Sequence, residues 1–449
     1  MGSLFGINGI RGAAITELTC ELAMQAGKAA AFVLTKKLNR KPVIFIGKDT
    51  RLSSDVFEAA LCAGICSVGA DVVKLGVLPV SATAYLTMKN KADAGIMISA
   101  SHKNAEFNGI RFFSGTGYGF SYDIEEEIRR LVFDNPEEIT LSSGSSVGVI
   151  SNYENSSEDY INHILECVKT RLEGLKIAVD CSNGSASVTA EKIFTSLGAD
   201  VMLIANEPDG VNINKECGST RIDGLMEFVI ENNCDCGLAF DGDADRCLAV
   251  DEKGELVDGD KLIALCAKSY KEQDKLINNT VVVTVMTNLG FVHFAKENGI
   301  RVVTTSVGDR YILEKMLDVG YNVGGGQNGH IIFAEDMPLG DGQLTGARIL
   351  EILVKSGKKM SELASVMNKF PQVMINVPIN VKKREIWKNN PEITSLIEQH
   401  QEALGELGRI TVRENAAEPI IRVMVEGKEF KNINSVAIEI ADRIKKHTL

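Results

Sequence analysis

Three stretches of this 449-residue chain repeat one phrase: an apolar strand, a polar turn, an amphipathic helix, a glycine and a second strand. The first is Val43-Ile44-Phe45-Ile46, then Gly47-Lys48-Asp49-Thr50-Arg51, a helix from about Ser54 to Val68, and Gly69-Ala70-Asp71-Val72-Val73. The second opens on Ile177-Ala178-Val179-Asp180, turns at Cys181-Ser182-Asn183-Gly184 and resumes at Gly198-Ala199-Asp200-Val201. The third opens on Val281-Val282-Val283-Thr284-Val285, turns at Thr287-Asn288 and resumes at Gly299-Ile300-Arg301-Val302-Val303. Runs of β-branched residues suit strands buried on both faces, and glycine closes a helix because it tolerates the left-handed cap. Ser67 to Val72 and Ser196 to Val201 are nearly the same words, which points to duplicated α/β domains.

A chain of this length exceeds one hydrophobic core, so several domains are expected. The Ser-rich run Leu141 to Ser146 and the polar run Asp251 to Gly254 mark candidate boundaries. Near Lys369-Phe370-Pro371 the pattern changes to alternating strands (Val373, Ile375, Val377) with helices, a smaller α+β unit. The expected division is 1–150, 151–253, 254–370 and 371–449. Net charge is -12, which disfavours nucleic acid or an anionic membrane as partner but leaves room for a small phosphorylated ligand held by a local basic cluster. No apolar run approaches the roughly 18 residues of a membrane span, and the opening residues read as no signal peptide. The ten cysteines are scattered without metal-ligand spacing and read as free thiols in the cytoplasm.

The sharpest local signal is Asp241-Gly242-Asp243-Ala244-Asp245-Arg246 between the apolar runs Leu238-Ala239-Phe240 and Cys247-Leu248-Ala249-Val250. Three carboxylates alternating on a tight loop repel one another unless a divalent cation joins them. A solvated acidic turn is the plain alternative. An EF-hand does not fit, because Arg246 stands where that loop needs glycine and strands flank it. Magnesium, which takes few carboxylates and completes its shell with phosphate oxygen and water, fits better. Earlier, the buried run Gly95-Ile96-Met97-Ile98 ends in Ser99-Ala100-Ser101-His102-Lys103-Asn104; by itself, serine at a strand end is usually a turn or a cap.

Together with Gly324-Gly325-Gly326-Gln327-Asn328-Gly329-His330, these motifs resemble those of the α-D-phosphohexomutases. The likeness runs nearly end to end. It includes Phe5 to Gly12, Pro208 to Asn214, Val285 to Gly290 and Val307-Gly308-Asp309-Arg310-Tyr311. The resemblance implies three similar α/β mixed-sheet domains plus a smaller C-terminal α+β domain around a central cleft. Each would contribute one loop, for serine, metal, sugar and phosphate in chain order. It implies that Ser101 carries a phosphoryl group and that magnesium bridges it to Asp241, Asp243 and Asp245. A hexose 6-phosphate would become a bisphosphate, turn over, and leave as the 1-phosphate, with glucosamine phosphate the leading substrate. Arg11, His102, Arg111, Arg246 and His330 would serve the transfer, with Arg111 standing where the family has lysine. A homodimer would suit the family.

Two ligand-reading loops depart from that pattern. The sugar loop, Gly326-Gln327-Asn328, has lost the family's glutamate and serine. The phosphate loop, with Arg413, Asn415, Ala417 and Arg422, has lost two hydroxyl donors, and Glu414 adds a negative charge near the intended anion. Three readings stay open: a working mutase, a weakened paralogue acting as a binding or regulatory partner, and a one-way phosphatase or phosphotransferase. The first is favoured, because decay usually removes the nucleophile or metal ligands and both are kept here.

Overall fold

The structure is a computed structural model that describes residues 5–6, 9–380, 386–414 and 419–448. The chain forms two compact units, Met1–Met286 with Ile300–Val366 and Thr287–Gly299 with Met367–Leu449.

The first unit holds three sheets. The first contains β1 (Ile10–Ala13), β2 (Val43–Lys48), β3 (Asp71–Val77), β4 (Ala94–Ile98), β5 (Phe107–Ser114) and β6 (Ile150–Asn152) in the order β1-β5-β4-β2-β3-β6. The second contains β7 (Lys176–Asp180), β8 (Asp200–Ile204), β9 (Cys236–Phe240), β10 (Cys247–Asp251) and β11 (Leu256–Val257) in the order β11-β10-β9-β7-β8. The third contains β12 (Thr280–Thr284), β13 (Arg301–Thr305), β14 (Val323–Gly325) and β15 (Ile331–Phe333) in the order β13-β12-β14-β15.

One four-stranded plan underlies all three. A first strand (β2, β7, β12) has a parallel partner on each side: the second strand (β3, β8, β13) and the third (β4, β9, β14). A fourth (β5, β10, β15) returns antiparallel beside the third. The central strands are buried along their length, as in β4, β9 and β12, which explains their apolar composition. The repeated glycines do what the pattern requires: Gly69, Gly198 and Gly299 have φ of +91°, +102° and +61°. The polar run 251–254 is the turn joining β10 to β11, with Gly254 N–H donating to the Asp251 carbonyl at 2.9 Å.

In the first sheet's layer, the alanine-rich helix Cys20–Leu38 packs on the helix Leu52–Ser67. A Cβ on Gly27 would already lie 3.0 Å from Leu61, so small residues set how closely these helices approach.

The second unit is built on the antiparallel sheet β16 (Gln372–Pro378), β17 (Gly408–Glu414) and β18 (Ile420–Gly427), ordered β16-β18-β17. Helices Pro391–Leu404 and Phe430–Thr448 cover it through a core that includes Ile393, Ile421, Val423, Ile433 and Ile440. Trp387 packs, partly buried, on that core.

Candidate active site

The shared sheet plan places three motifs at one topological position. Ser101 lies between β4 and β5, the aspartate trio between β9 and β10, and Gly326 to His330 between β14 and β15. Each loop follows the carboxyl end of a buried third strand, where open α/β sheets present their ligand-binding loops.

The trio is not a solvated turn. Asp241, Asp243 and Asp245 are 0%, 3% and 4% exposed. Each offers a carboxylate oxygen, and these atoms lie within 4.8 Å of one another. Among the described residues, Oδ1 of Asp243 and Oδ1 of Asp245 have no hydrogen-bond partner. Burial, and then the Asp241 charge, push the Asp243 carboxyl up to about 7, while burial and both neighbouring aspartates raise Asp245 well above its ordinary value. Nearby arginine charge opposes these shifts without cancelling them, and an all-oxygen donor set of this kind fits a hard divalent cation.

Ser101 meets the trio directly. Its Oγ donates to Asp241 Oδ2 at 2.7 Å although 140 residues separate the two, and its own backbone is left-handed, with φ +54°. His102 Nδ1 is 3.4 Å from the same Oγ. Burial, then Arg246, hold the His102 imidazole down at about 4. Arg246 Nε stands 3.8 Å from Asp241 and 3.6 Å from Asp245. Burial opposes its charge, and Asp241, Asp245 and Asp309 more than offset that effect, so its pKa is raised. Arg11, on β1, is exposed by area yet crowded by protein. That crowding lowers its pKa, with Asp243 opposing and Arg111 adding to the effect. Arg111, on β5, lies over the Phe113 ring at 5.2 Å.

The aspartate loop is stitched to its neighbours through the backbone. Val80 N–H, opening the helix Val80–Lys89, donates to the Asp243 carbonyl at 3.0 Å. Ser185 N–H donates to the Gly242 carbonyl and Gly342 N–H to the Ala244 carbonyl, each at 2.9 Å. Arg246 and His330 form an antiparallel bridge, and Cys247 N–H reaches the Gly329 carbonyl at 3.0 Å.

That bridge brings His330 beside the trio. It is 1% exposed, with Nε2 3.7 Å from Asp245 and Nδ1 3.5 Å from Asp309. Burial lowers its pKa and Asp309 opposes the shift. Asp309 is the site residue that sequence reasoning left without a role. It follows Gly308, whose φ of +143° leaves only glycine comfortable there, and opens the helix Asp309–Val319. Of the two histidines, His102 is the one within reach of the serine oxygen.

The residues expected to read the sugar form a tight turn, Gly329 N–H to the Gly326 carbonyl at 3.0 Å, pinned by Gly259 N–H to the Gln327 carbonyl at 3.0 Å. Gly326 is buried, Gln327 half-buried and Asn328 exposed. In the second unit, Arg413 and Arg422 are partners across β17 and β18. Asn415 and Ala417 lie outside the described residues. Glu414 does not point at the arginine pair. Successive strand residues face opposite sides, and its carboxylate takes the Lys388 ammonium at 2.9 Å and Trp387 Nε1 at 3.4 Å.

Comparison with known proteins agrees along the whole chain. The phosphoglucomutase/phosphomannomutase α/β/α domains I, II and III match residues 2–138, 158–254 and 258–370, and the family's C-terminal domain matches 374–443. Phosphoglucosamine mutase of Acetivibrio thermocellus is 49% identical over 445 residues, covering 99% of each chain. That of Clostridium acetobutylicum is 48% identical over 446 residues with the same coverage. Among solved structures, a phosphoglucomutase/phosphomannomutase family protein from Burkholderia thailandensis superposes with a TM-score of 0.84 at 19% identity, covering 100% of this chain and 98% of that one. Aspergillus fumigatus N-acetylphosphoglucosamine mutase, in complex with GlcNAc-6P and magnesium, gives 0.72 at 17% identity, covering 99% and 96%. The loops that carry Ser101, the aspartate trio and Gly326 to His330 thus sit on a fold and in a sequence that agree, and the chain belongs to the phosphoglucomutase/phosphomannomutase family.

Proposed function

We propose that the chain is a phosphosugar mutase that interconverts a hexose 6-phosphate and its 1-phosphate through a phosphorylated Ser101 and a bisphosphorylated sugar, with glucosamine phosphate its substrate. The carrying observation is the 2.7 Å contact of Ser101 Oγ with Asp241 inside a buried carboxylate trio in which Asp243 Oδ1 and Asp245 Oδ1 find no hydrogen-bond partner among the described residues. Magnesium held by Asp241, Asp243 and Asp245 would supply positive charge against the transferring group. The chain's own residues do the rest. A sugar hydroxyl attacks the phosphorus on Ser101; the new P–O bond forms as the bond to Oγ breaks. His102, with Nδ1 3.4 Å from Oγ, would take the hydroxyl proton and return it to Oγ. Arg246 and Arg11 offset charge on the phosphoryl oxygens, where positioning and electrostatics carry most of the catalysis.

The division of labour we propose is a phosphoserine-loop domain (1–150), a metal-loop domain (151–253), a sugar-loop domain (254–370) and a phosphate-binding domain (371–449). In the last, Arg413, Asn415, Ala417 and Arg422 would hold the substrate's non-transferring phosphate, while Gly326, Gln327 and Asn328 read the sugar. We place the enzyme in the cytoplasm, a reading supported by ten free cysteines, eight of them buried, and give it a homodimeric state by analogy with the family. Among the described residues, no helix is long and apolar enough to cross a membrane.

The test is intact-mass analysis after incubation with a hexose 1,6-bisphosphate and magnesium, alongside turnover of a panel of hexose 6-phosphates. Wild type should gain one phosphoryl group and Ser101→Ala none, with glucosamine 6-phosphate converted fastest. A Ser101→Ala protein that still interconverts hexose phosphates would overturn the mechanism. Release of free phosphate from the bisphosphate without isomerisation would make the chain a phosphatase.

A further inference from the structure

Ser101 occupies a backbone region that costs a residue with a side chain energy, and such a conformation persists only where its surroundings over-determine it. Two side chains distant in sequence supply that determination. Arg51 Nη2 donates to the Ser101 carbonyl at 3.2 Å and also to the Lys103 carbonyl. From the other side, Asn214 Nδ2 donates to the same two carbonyls, at 2.9 Å and 2.8 Å. Both neighbours of the Asn214 amide are acceptors, so its NH2 group must face them.

Both side chains are themselves fixed. Arg51 is 2% exposed, and its Nη1 bonds Asp49, whose carboxylate is held in turn by Ser54 Oγ at 2.8 Å. Arg51 Nη1 also reaches Ser99 Oγ at 3.4 Å, the hydroxyl that accepts the Ser101 N–H at 2.9 Å. Asn214 is 8% exposed, and its own N–H is tied to the Ser182 carbonyl at 2.9 Å. The metal loop closes the arrangement. A Cβ at Gly242 would lie 2.7 Å from the Ser101 carbonyl and 2.8 Å from Asn214 Nδ2, so only glycine lets this loop abut the clamp.

We propose that Arg51 and Asn214 are paired positioning residues, a clamp on the Ser101 and Lys103 carbonyls that aims the serine oxygen at the metal trio and holds the serine loop and metal loop in one register. Neither touches the transferring group; they act through the backbone of Ser101. As a statement about catalysis this rests on the mutase reading above, and its structural half stands alone.

Asn214→Asp keeps shape but sets a carboxylate against two carbonyls, and Arg51→Lys keeps charge but loses the fork by which Nη2 bonds both carbonyls while Nη1 is held by Asp49. Two measurements are made on each full-length variant. The first is the single-turnover rate of phosphoryl transfer from a hexose 1,6-bisphosphate to Ser101. It should fall at least about tenfold with the half-saturating bisphosphate concentration changed less than about threefold, because a misaimed nucleophile loses rate and not binding. The second is backbone hydrogen exchange across residues 99–106, which should quicken about tenfold while 176–180 stays as in wild type. Unchanged transfer in either folded variant overturns the proposal. If wild type itself takes no phosphate, the mutase reading has failed, and exchange then decides the clamp alone: unaltered protection of 99–106 overturns it.

Discussion

Arg413 and Arg422 face one another as direct partners across β17 and β18, and neither Nε finds an acceptor among the described residues. Like charges directly opposite on an antiparallel pair are destabilising. Burial and Arg422 together lower the Arg413 pKa. The pair is therefore held against its own repulsion, as a site for an anion would be. Replacing one member with Arg413→Gln should leave the free protein as stable or slightly more so, abolish the rise in Tm given by millimolar inorganic phosphate, and raise KM for the hexose phosphate roughly ten- to hundredfold. Thermal melts against phosphate concentration check this. An undiminished phosphate response in the variant would remove these arginines from the anion site.

The same logic runs with opposite sign in the metal loop. Asp243 and Asp245 are crowded by buried charge that a cation would neutralise. Asp243→Asn should raise the Tm of chelator-treated protein while eliminating the stabilisation expected when magnesium is added to wild type, and turnover should fall by roughly 100-fold or more. Melts with and without magnesium separate the two effects. A variant that magnesium stabilises as strongly as wild type would show that Asp243 is no ligand.

Much of this was legible in residue order. The three strand–turn–helix phrases became three sheets of one plan, because runs such as Val281-Val282-Val283 have no other place to be buried. Like-charge repulsion made the aspartate trio legible as a candidate cation loop, and the structure shows it as a buried cluster able to hold a metal. What order along the chain does not carry is convergence. Nothing local in Arg51 or Asn214 says that both point at one pair of carbonyls, and Asp309 gains meaning only when His330 arrives between it and Asp245. Glu414 is the instructive miss. Placed beside Arg413 in sequence it read as a repulsive neighbour of the anion, but strand alternation turns it to the other face and onto Lys388.

The altered sugar loop can be tested by reverting it. A Cβ on Gly326 would meet Asn328 Oδ1 at 3.2 Å and Thr284 Cγ2 at 3.7 Å, so the obstacle is one movable side chain. Asn328 Oδ1 accepts the His330 N–H at 3.4 Å, a long bond that little depends on. The double variant Gly326→Glu with Asn328→Ser should fold normally and lower KM for the hexose phosphate about tenfold through a charge-assisted hydrogen bond, leaving kcat within about threefold. Steady-state kinetics on both proteins decide it. An unchanged or raised KM would mean that this chain reads its sugar by contacts elsewhere.

Asp180 gives the pH dependence. It is 1% exposed at the end of β7, where its carboxylate accepts the Ser182 N–H at 2.8 Å and the Gly218 N–H at 2.7 Å. Burial outweighs those two bonds and pushes its pKa from 3.8 up to about 6. A carboxyl whose folded pKa lies above its unfolded value binds its proton more tightly when folded. Its contribution to stability is complete below about pH 4 and is lost as pH rises through 6. The two-unit gap corresponds to about 3 kcal/mol. The stability advantage of wild type over Asp180→Asn should therefore shrink by about that amount between pH 4 and pH 7. Paired urea denaturations at the two pH values measure it as a difference, so that other titrating groups common to both proteins cancel. An advantage that grows with pH would mean that the two backbone donors dominate and that Asp180 is held as a carboxylate to brace the turns beside the metal loop.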